Sequence, residues 1–415
     1  MKRFTMISVM IVAIISVILL ININIIFQEG NPITVFRGIF RLSSSETFVK
    51  IKDNPVTYVT ITDDADDLFA YIEESDNVSY KEQVGLGHIF ENRNKVVILT
   101  SRQYTRNYQI WEYSKKDFKV VGYYSGDLFN EPVENLQTDK LTHVMYAFLI
   151  PRADGSLVDL EKPGRLKELV KQAHDDKAKV FISLGGWSYE GEKLEPVFKE
   201  IASSDETRKF FVNNVRDFVD EYNLDGVELD WEHPNNSTAE DYEKLVTELS
   251  DALVSQGREL SAALNGSWYD DWGGEEISVI TKNSLDRFSF INVMSYDMNN
   301  DEHSPMWFFE NSLDYWLNRG VSPEKIVMGL PLYAKPSWLQ YRQLVDMNPD
   351  YAYIDYAPTA PLESYYNGLN TLREKTSVAL KRAGGVMLFD VNEDASDDEY
   401  SAVSMIYRLL NEEFN

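Results

Sequence analysis

Asp225-Gly226-Val227-Glu228-Leu229-Asp230-Trp231-Glu232 follows a segment of helical pattern that ends near Tyr222. Its Gly226, Val227, Leu229 and Trp231 suit a buried strand rather than a solvated loop. On a strand successive side chains alternate faces, so Glu228, Asp230 and Glu232 share one face at intervals of roughly 6–7 Å while Asp225 points elsewhere. Desolvation and like-charge repulsion both favour the neutral acid, so at least one of the three is expected to hold a proton at neutral pH. The plain alternative is a solvated acidic strand face. Stability gives no reason to bury such a row, whereas a general acid needs its pKa raised towards the working pH. Glu232, the last of the row, is the candidate acid.

Outward from this stretch, the sequence from Lys119 alternates strand and helix patterns. The strands are expected at Val120–Tyr124, Leu141–Leu149, Lys179–Gly185, Leu224–Glu232, Leu260–Leu264, Phe288–Tyr296, Lys325–Tyr333 and Gly385–Val391. Helical patterns lie between them, among them Asp205–Tyr222, Thr238–Leu253 and Tyr366–Arg382. Eight such strands over about 300 residues argue for an α/β fold, a (β/α)8 TIM barrel, with an open doubly wound sheet as the alternative.

Short motifs fall near the ends of these strands. The spacing Asp225-x-x-Glu228-x-Asp230-x-Glu232 resembles the acidic signature of glycoside hydrolase family 18, the chitinases and related N-acetylglucosaminidases. Val121-Gly122-Tyr123-Tyr124 looks like that family's first strand and Tyr146-Ala147-Phe148 like its second. Ser183-Leu184-Gly185-Gly186-Trp187 is similar to its Ser-x-Gly-Gly motif, and Met294-Ser295-Tyr296-Asp297 to its Met-x-Tyr-Asp. Gly329-Leu330-Pro331-Leu332-Tyr333 resembles its Gly-x-Pro-x-Tyr, and Gly384-Gly385-Val386-Met387 opens the last strand as in the family. The resemblance covers about residues 119–415 and selects the barrel. Two positions depart from it: Glu228 replaces the middle Asp, and Phe389 stands where the family usually has a Trp. Reduced or altered activity is the expectation that follows from them.

What the resemblance implies is cleavage of β-1,4-linked N-acetylglucosamine with retention, by attack of the sugar's own 2-acetamido group. Carried over by position, Glu232 is the acid and later the base, Asp230 orients the acetamido N–H, and Tyr296 binds the acetamido carbonyl. Glu228 shares a proton or charge with Asp230, supported by Ser183 and Tyr123. Phe148, Gly185, Gly186, Trp187, Met294, Asp297, Tyr333 and Phe389 complete the expected substrate-binding set. Trp268, Tyr269, Trp272, Trp307 and Phe308 are further candidates for stacking on sugar faces. Only residues 334–365 separate Tyr333 from the following helical pattern, so a shallow groove and endo-type cleavage are expected. The competing readings are a non-catalytic carbohydrate-binding protein on the same barrel, from which the presence of Glu232 argues away, and a peptidoglycan- or N-glycan-directed N-acetylglucosaminidase.

Composition narrows the partners. The 415 residues carry a formal net charge of −27, nearly all of it in residues 119–415. Such a surface repels nucleic acid and anionic polymers and favours a neutral or cationic glycan. There is no Cys, which excludes disulfides and thiolate chemistry, and the five His at 88, 143, 174, 233 and 303 show no metal-ligand spacing. No metal and no cofactor are expected, and a monomer is.

The N-terminal part reads differently. Lys2 and Arg3 precede the apolar run Met6–Phe27, which is near the ~20 residues needed to cross a bilayer and lacks a small-residue cleavage site. An uncleaved signal-anchor over residues 1–27 is favoured over a cleaved signal peptide. Either way the rest is exported, held at the outer cell surface or secreted. Residues 28–45 read as a tether and 46–118 as a small α+β domain of unknown role, with strands at Val56–Ile61, Lys95–Thr100 and Gln109–Tyr113 and a helix at Asp64–Glu74.

Overall fold

The computed structural model describes residues 32–42, 46–53, 55–92, 95–128, 131–298 and 302–414. The proposed anchor over residues 1–27 lies outside them. Among the described residues no helix is long and apolar enough to cross a membrane. The chain divides into two compact units, which meet in sequence at Asp117 and Phe118.

The first unit is an antiparallel sheet of six strands: β1 (Phe48–Asp53), β2 (Val56–Ile61), β3 (Ser79–Val84), β4 (Gly87–Asn92), β5 (Lys95–Thr105) and β6 (Tyr108–Asp117), in the order β1-β2-β6-β5-β4-β3. Alternation along β2 and β6 feeds two cores. Tyr58 and Trp111 pack with Leu68 and Ile72 of the helix Asp66–Asp76, while Val59 and Ile110 pack with Val35 and Leu42 of the helix Pro32–Leu42. The tether expected over residues 28–45 is therefore corrected: much of it is a helix, whose Val35, Gly38 and Leu42 recur at three- and four-residue intervals on the buried side.

The second unit is a closed parallel barrel. Its strands are β7 (Lys119–Tyr124), β8 (His143–Leu149), β9 (Lys179–Gly185), β12 (Gly226–Asp230), β13 (Glu259–Asn265), β14 (Ile291–Met294), β15 (Ile326–Pro331) and β19 (Gly385–Phe389). Between them lie a hairpin, β10 (Ser188–Tyr189) with β11 (Glu192–Lys193), and a small three-stranded sheet, β16 (Lys335–Pro336), β17 (Tyr356–Ala357) and β18 (Ser364–Tyr365). All eight expected barrel strands form, because strands covered on both faces are near-continuous apolar runs and stand out in the sequence. Along β12 the alternation is plain. Val227 and Leu229 are fully buried on one side, and Trp231 continues that side, stacking on Phe198 with ring centroids 5.3 Å apart. Glu228 and Asp230 point the other way, into the barrel.

Candidate active site

At the C-terminal rim of β12 the three carboxylates differ in what they touch. Glu228 is fully buried. The Tyr123 hydroxyl donates to its Oε2 at 2.5 Å, the Ser183 hydroxyl to the same oxygen at 2.9 Å, and the Asn292 amide to its Oε1 at 2.6 Å. Burial pushes its proton affinity up and these three donors pull it back. The extra methylene of Glu228 thus carries the carboxylate across to donors on β7, β9 and β14. No hydrogen bond joins it to Asp230 among the described residues, and the two interact through charge.

Asp230, one step along the face, is buried, and its Oδ1 has no protein partner. Burial, then Glu232 and Glu228, hold its pKa well above the usual carboxylate range. Glu232 lies two residues beyond β12, partly buried, and burial together with the charge of Asp297 pushes it up to about 7. A carboxyl at that value is a competent proton donor and acceptor near neutral pH.

Around the acids stands an aromatic wall. Tyr123, Tyr296 and Met387 belong to one buried cluster, with Phe148, Met294 and Phe389 packed against it. The Phe389 ring lies 5.4 Å from Tyr123, 6.1 Å from Tyr296 and 6.3 Å from Tyr333. Burial and the nearby carboxylates raise the pKa of both Tyr123 and Tyr296, so each hydroxyl keeps its proton and can donate.

The rim is held by two glycines with positive φ, Gly185 and Gly186, at 118° and 96°. The Gly186 N–H donates to the Asp230 carbonyl at 2.9 Å, and a Cβ on Gly185 would run into that same carbonyl. Ser183 and Gly185 pair in register with Glu228 and Asp230, and Tyr296 belongs to the buried cluster beside them, against which Met294 and Phe389 pack. Trp187 is half-exposed, with the His233 ring 4.9 Å away. Of the other aromatic candidates Phe308 is core, whereas Trp268, Tyr269, Trp272 and Trp307 hold substantial exposed ring surface.

Sequence reasoning missed four neighbours of this site. Asn292 is one; it shares the inward register of Phe290 and Met294, and a lone amide in that apolar run was the available signal. Lys335 pairs with Asp297 at 3.2 Å and lies over the Trp338 ring, which stacks on Tyr333 at 5.8 Å. His303 Nδ1 lies 3.5 Å from the same Asp297 oxygen, Oδ1, that Lys335 meets. Trp338 and His303 come from loops and Lys335 from the two-residue strand β16, where spacing carries no register. Among the described residues no group of three or more His, Asp or Glu is arranged to hold a metal ion.

Comparison with known proteins bears on the family and the fold. Residues 119–394 match the model of the glycosyl hydrolases family 18. A probable chitinase 10 of Drosophila melanogaster is 30% identical over 257 residues, covering 53% of this chain and 11% of the fly protein. An endochitinase of Manduca sexta is 26% identical over 257 residues, covering 52% of this chain and 45% of its own length. The chain thus spans less than half the length of either relative. Among solved structures, a family 18 chitinase from the chitin utilization locus of Flavobacterium johnsoniae superposes with a TM-score of 0.63 at 26% identity, covering 72% of this chain and 95% of that one.

Proposed function

Because the chain belongs to the glycosyl hydrolases family 18, we propose that it is a retaining glycosidase that cleaves β-1,4 bonds of N-acetylglucosamine-containing glycans, chitin or chito-oligosaccharides, by substrate-assisted catalysis. The observation that carries the reading is the pairing of two acids. Burial and the charge of Asp297 push Glu232 up to about 7, and its charge acts on the buried Asp230, whose Oδ1 lacks a partner. An acetamido N–H is a fitting donor for that oxygen, since an unpaired buried acceptor is costly.

The reaction then runs in two steps. Glu232 gives its proton to the glycosidic oxygen as the C1–O bond breaks, and the acetamido carbonyl oxygen of the same sugar attacks C1 from the opposite face. Asp230 holds the acetamido N–H and balances the positive charge of the oxazolinium, while the Tyr296 hydroxyl holds the acetamido group from the other side. In the second step Glu232 takes a proton from water, whose oxygen attacks C1, reopening the ring with net retention. Glu228, locked by Tyr123, Ser183 and Asn292, keeps negative charge or a proton beneath Asp230. Trp187, Trp268 and Trp307, with exposed ring surface, offer stacking platforms for flanking sugars. The short stretch of residues 334–365, between Tyr333 and the helix that precedes β19, supports an open groove and endo-type cleavage. Export through the apolar segment Met6–Phe27, with the barrel outside the cell, completes the proposal.

The test is release of reducing ends from N-acetylglucosamine trimers to hexamers beside a fully deacetylated set, with wild type and Glu232→Gln. Cleavage confined to the acetylated set and abolished in Glu232→Gln is expected. Binding without cleavage in both proteins would make the barrel a carbohydrate-binding module instead.

A further inference from the structure

Lys375 lies in the middle of the helix Leu369–Arg382 and is fully buried. An ammonium has three N–H donors, and here every one is used. Its Nζ donates to the Ser304 carbonyl, the Ser304 hydroxyl and the Asn367 side-chain carbonyl, each at 2.7 Å. None of these partners carries charge. The Phe309 ring lies 5.4 Å from Nζ, and Asp355, the acid whose field reaches it, has its carboxylate occupied by the Gly368 N–H and the Thr371 hydroxyl. A cation buried without a contacting counter-ion is expensive, and an apolar side chain of equal length would fill the same space at less cost. What Met could not supply is the set of three donors.

Those donors converge on one residue and its neighbour. The Ser304 hydroxyl donates onward to the Ser295 carbonyl at 2.7 Å, next to Tyr296, and the Asn367 amide donates to the Ser304 carbonyl at 3.1 Å. Ser295 and Ser304 close the base of the loop that follows β14. Within that loop the Met298 N–H meets the His303 carbonyl at 3.2 Å, and the His303 ring lies 4.9 Å from Tyr333. Asp297 and His303 both hold positive φ, at 62° and 58°, a conformation that persists only where the surroundings over-determine it.

We propose that Lys375 is a positioning residue: its ammonium clamps Ser304, and through Ser304 the loop that presents Tyr296 and Asp297 to the sugar. The inference rests on the glycosidase reading, because its kinetic consequence is felt at the acetamido contact of Tyr296. Its structural consequence does not depend on that reading.

Two variants test it in the full chain, by hydrogen exchange and by kinetics on the N-acetylglucosamine tetramer. Lys375→Met removes all three donors at nearly constant volume, and Ser304→Ala cuts the link to Ser295 while leaving Lys375 in place. In both, amide exchange is expected to rise about tenfold or more at residues 295–298 and 302–304 and to stay near wild type in the barrel strands. The kcat is expected to fall about ten- to a hundredfold, with KM within about threefold, since the lost contact is made in the transition state rather than to the flanking sugars. Unchanged exchange at residues 295–298 and 302–304, or a rise spread evenly over the barrel, would overturn the clamp. So would an unchanged kcat in a protein whose loop has loosened. Should Lys375→Met not fold, Ser304→Ala decides by the same readings. A wild type that cleaves nothing would count against the glycosidase reading alone, while the exchange experiment still decides the clamp.

Discussion

At the scale of single residues the chemistry turns on charge beside Glu232. Asp297 helps to push Glu232 up to about 7, and Lys335, 3.2 Å from Asp297, offsets part of that negative field. A raised pKa keeps Glu232 protonated, and therefore competent as the acid, until the pH rises through its folded value; above that value activity falls. Removing the cation strengthens the field of Asp297 and favours the protonated acid further. Lys335→Met is therefore expected to move the alkaline limb of the kcat profile upward by roughly half a pH unit or more. A limb that stays in place, or moves to lower pH, would show that Asp297 does not act on Glu232 through space. The same scale accounts for Glu228. In the sequence it reads as a departure from the family's Asp that would reduce or alter activity; the structure gives its carboxylate three donors on three strands.

At the scale of elements the site depends on how β9 and β12 meet. Gly185 pairs with Asp230 in register, and its φ of 118° is open to glycine but costly to other residues. Gly185→Ala is expected to destabilise the barrel by more than about 1 kcal/mol and to lower kcat through the displaced Asp230; an unchanged melting temperature and rate would contradict this. What the sequence disclosed follows the same division. The barrel strands were legible because both their faces are covered, and the acids because a period of two aims Glu228 and Asp230 inward. The strand Ser79–Val84 was not, since its residues are exposed along its whole length and leave no apolar alternation. The helix Pro32–Leu42 was missed because Pro32 and Gly38 suggest irregular chain, although Gly38 is what lets the helix approach Ile51 and Val59 closely. His303 and Trp338 belong to loops and Lys335 to the two-residue β16, and only the path of the chain brings them to Asp297 and Tyr333.

At the scale of the whole molecule every residue given a role in the reaction lies in the unit Phe118–Glu413, which also carries nearly all of the −27 net charge. That charge suits a neutral or cationic glycan and disfavours anionic polymers, through a field that salt would screen. The antiparallel unit before it has two apolar cores of its own and none of the candidate site residues. The proposed reaction uses the substrate's acetamido group in place of an enzymatic nucleophile. It is tested most directly by proton NMR of the anomeric centre in the first product released from the N-acetylglucosamine hexamer. Attack by the acetamido group followed by water gives a product that appears as the β-anomer and only then mutarotates. A product that appears first as the α-anomer would mean direct displacement by water, and would contradict the roles given to Asp230 and Glu232.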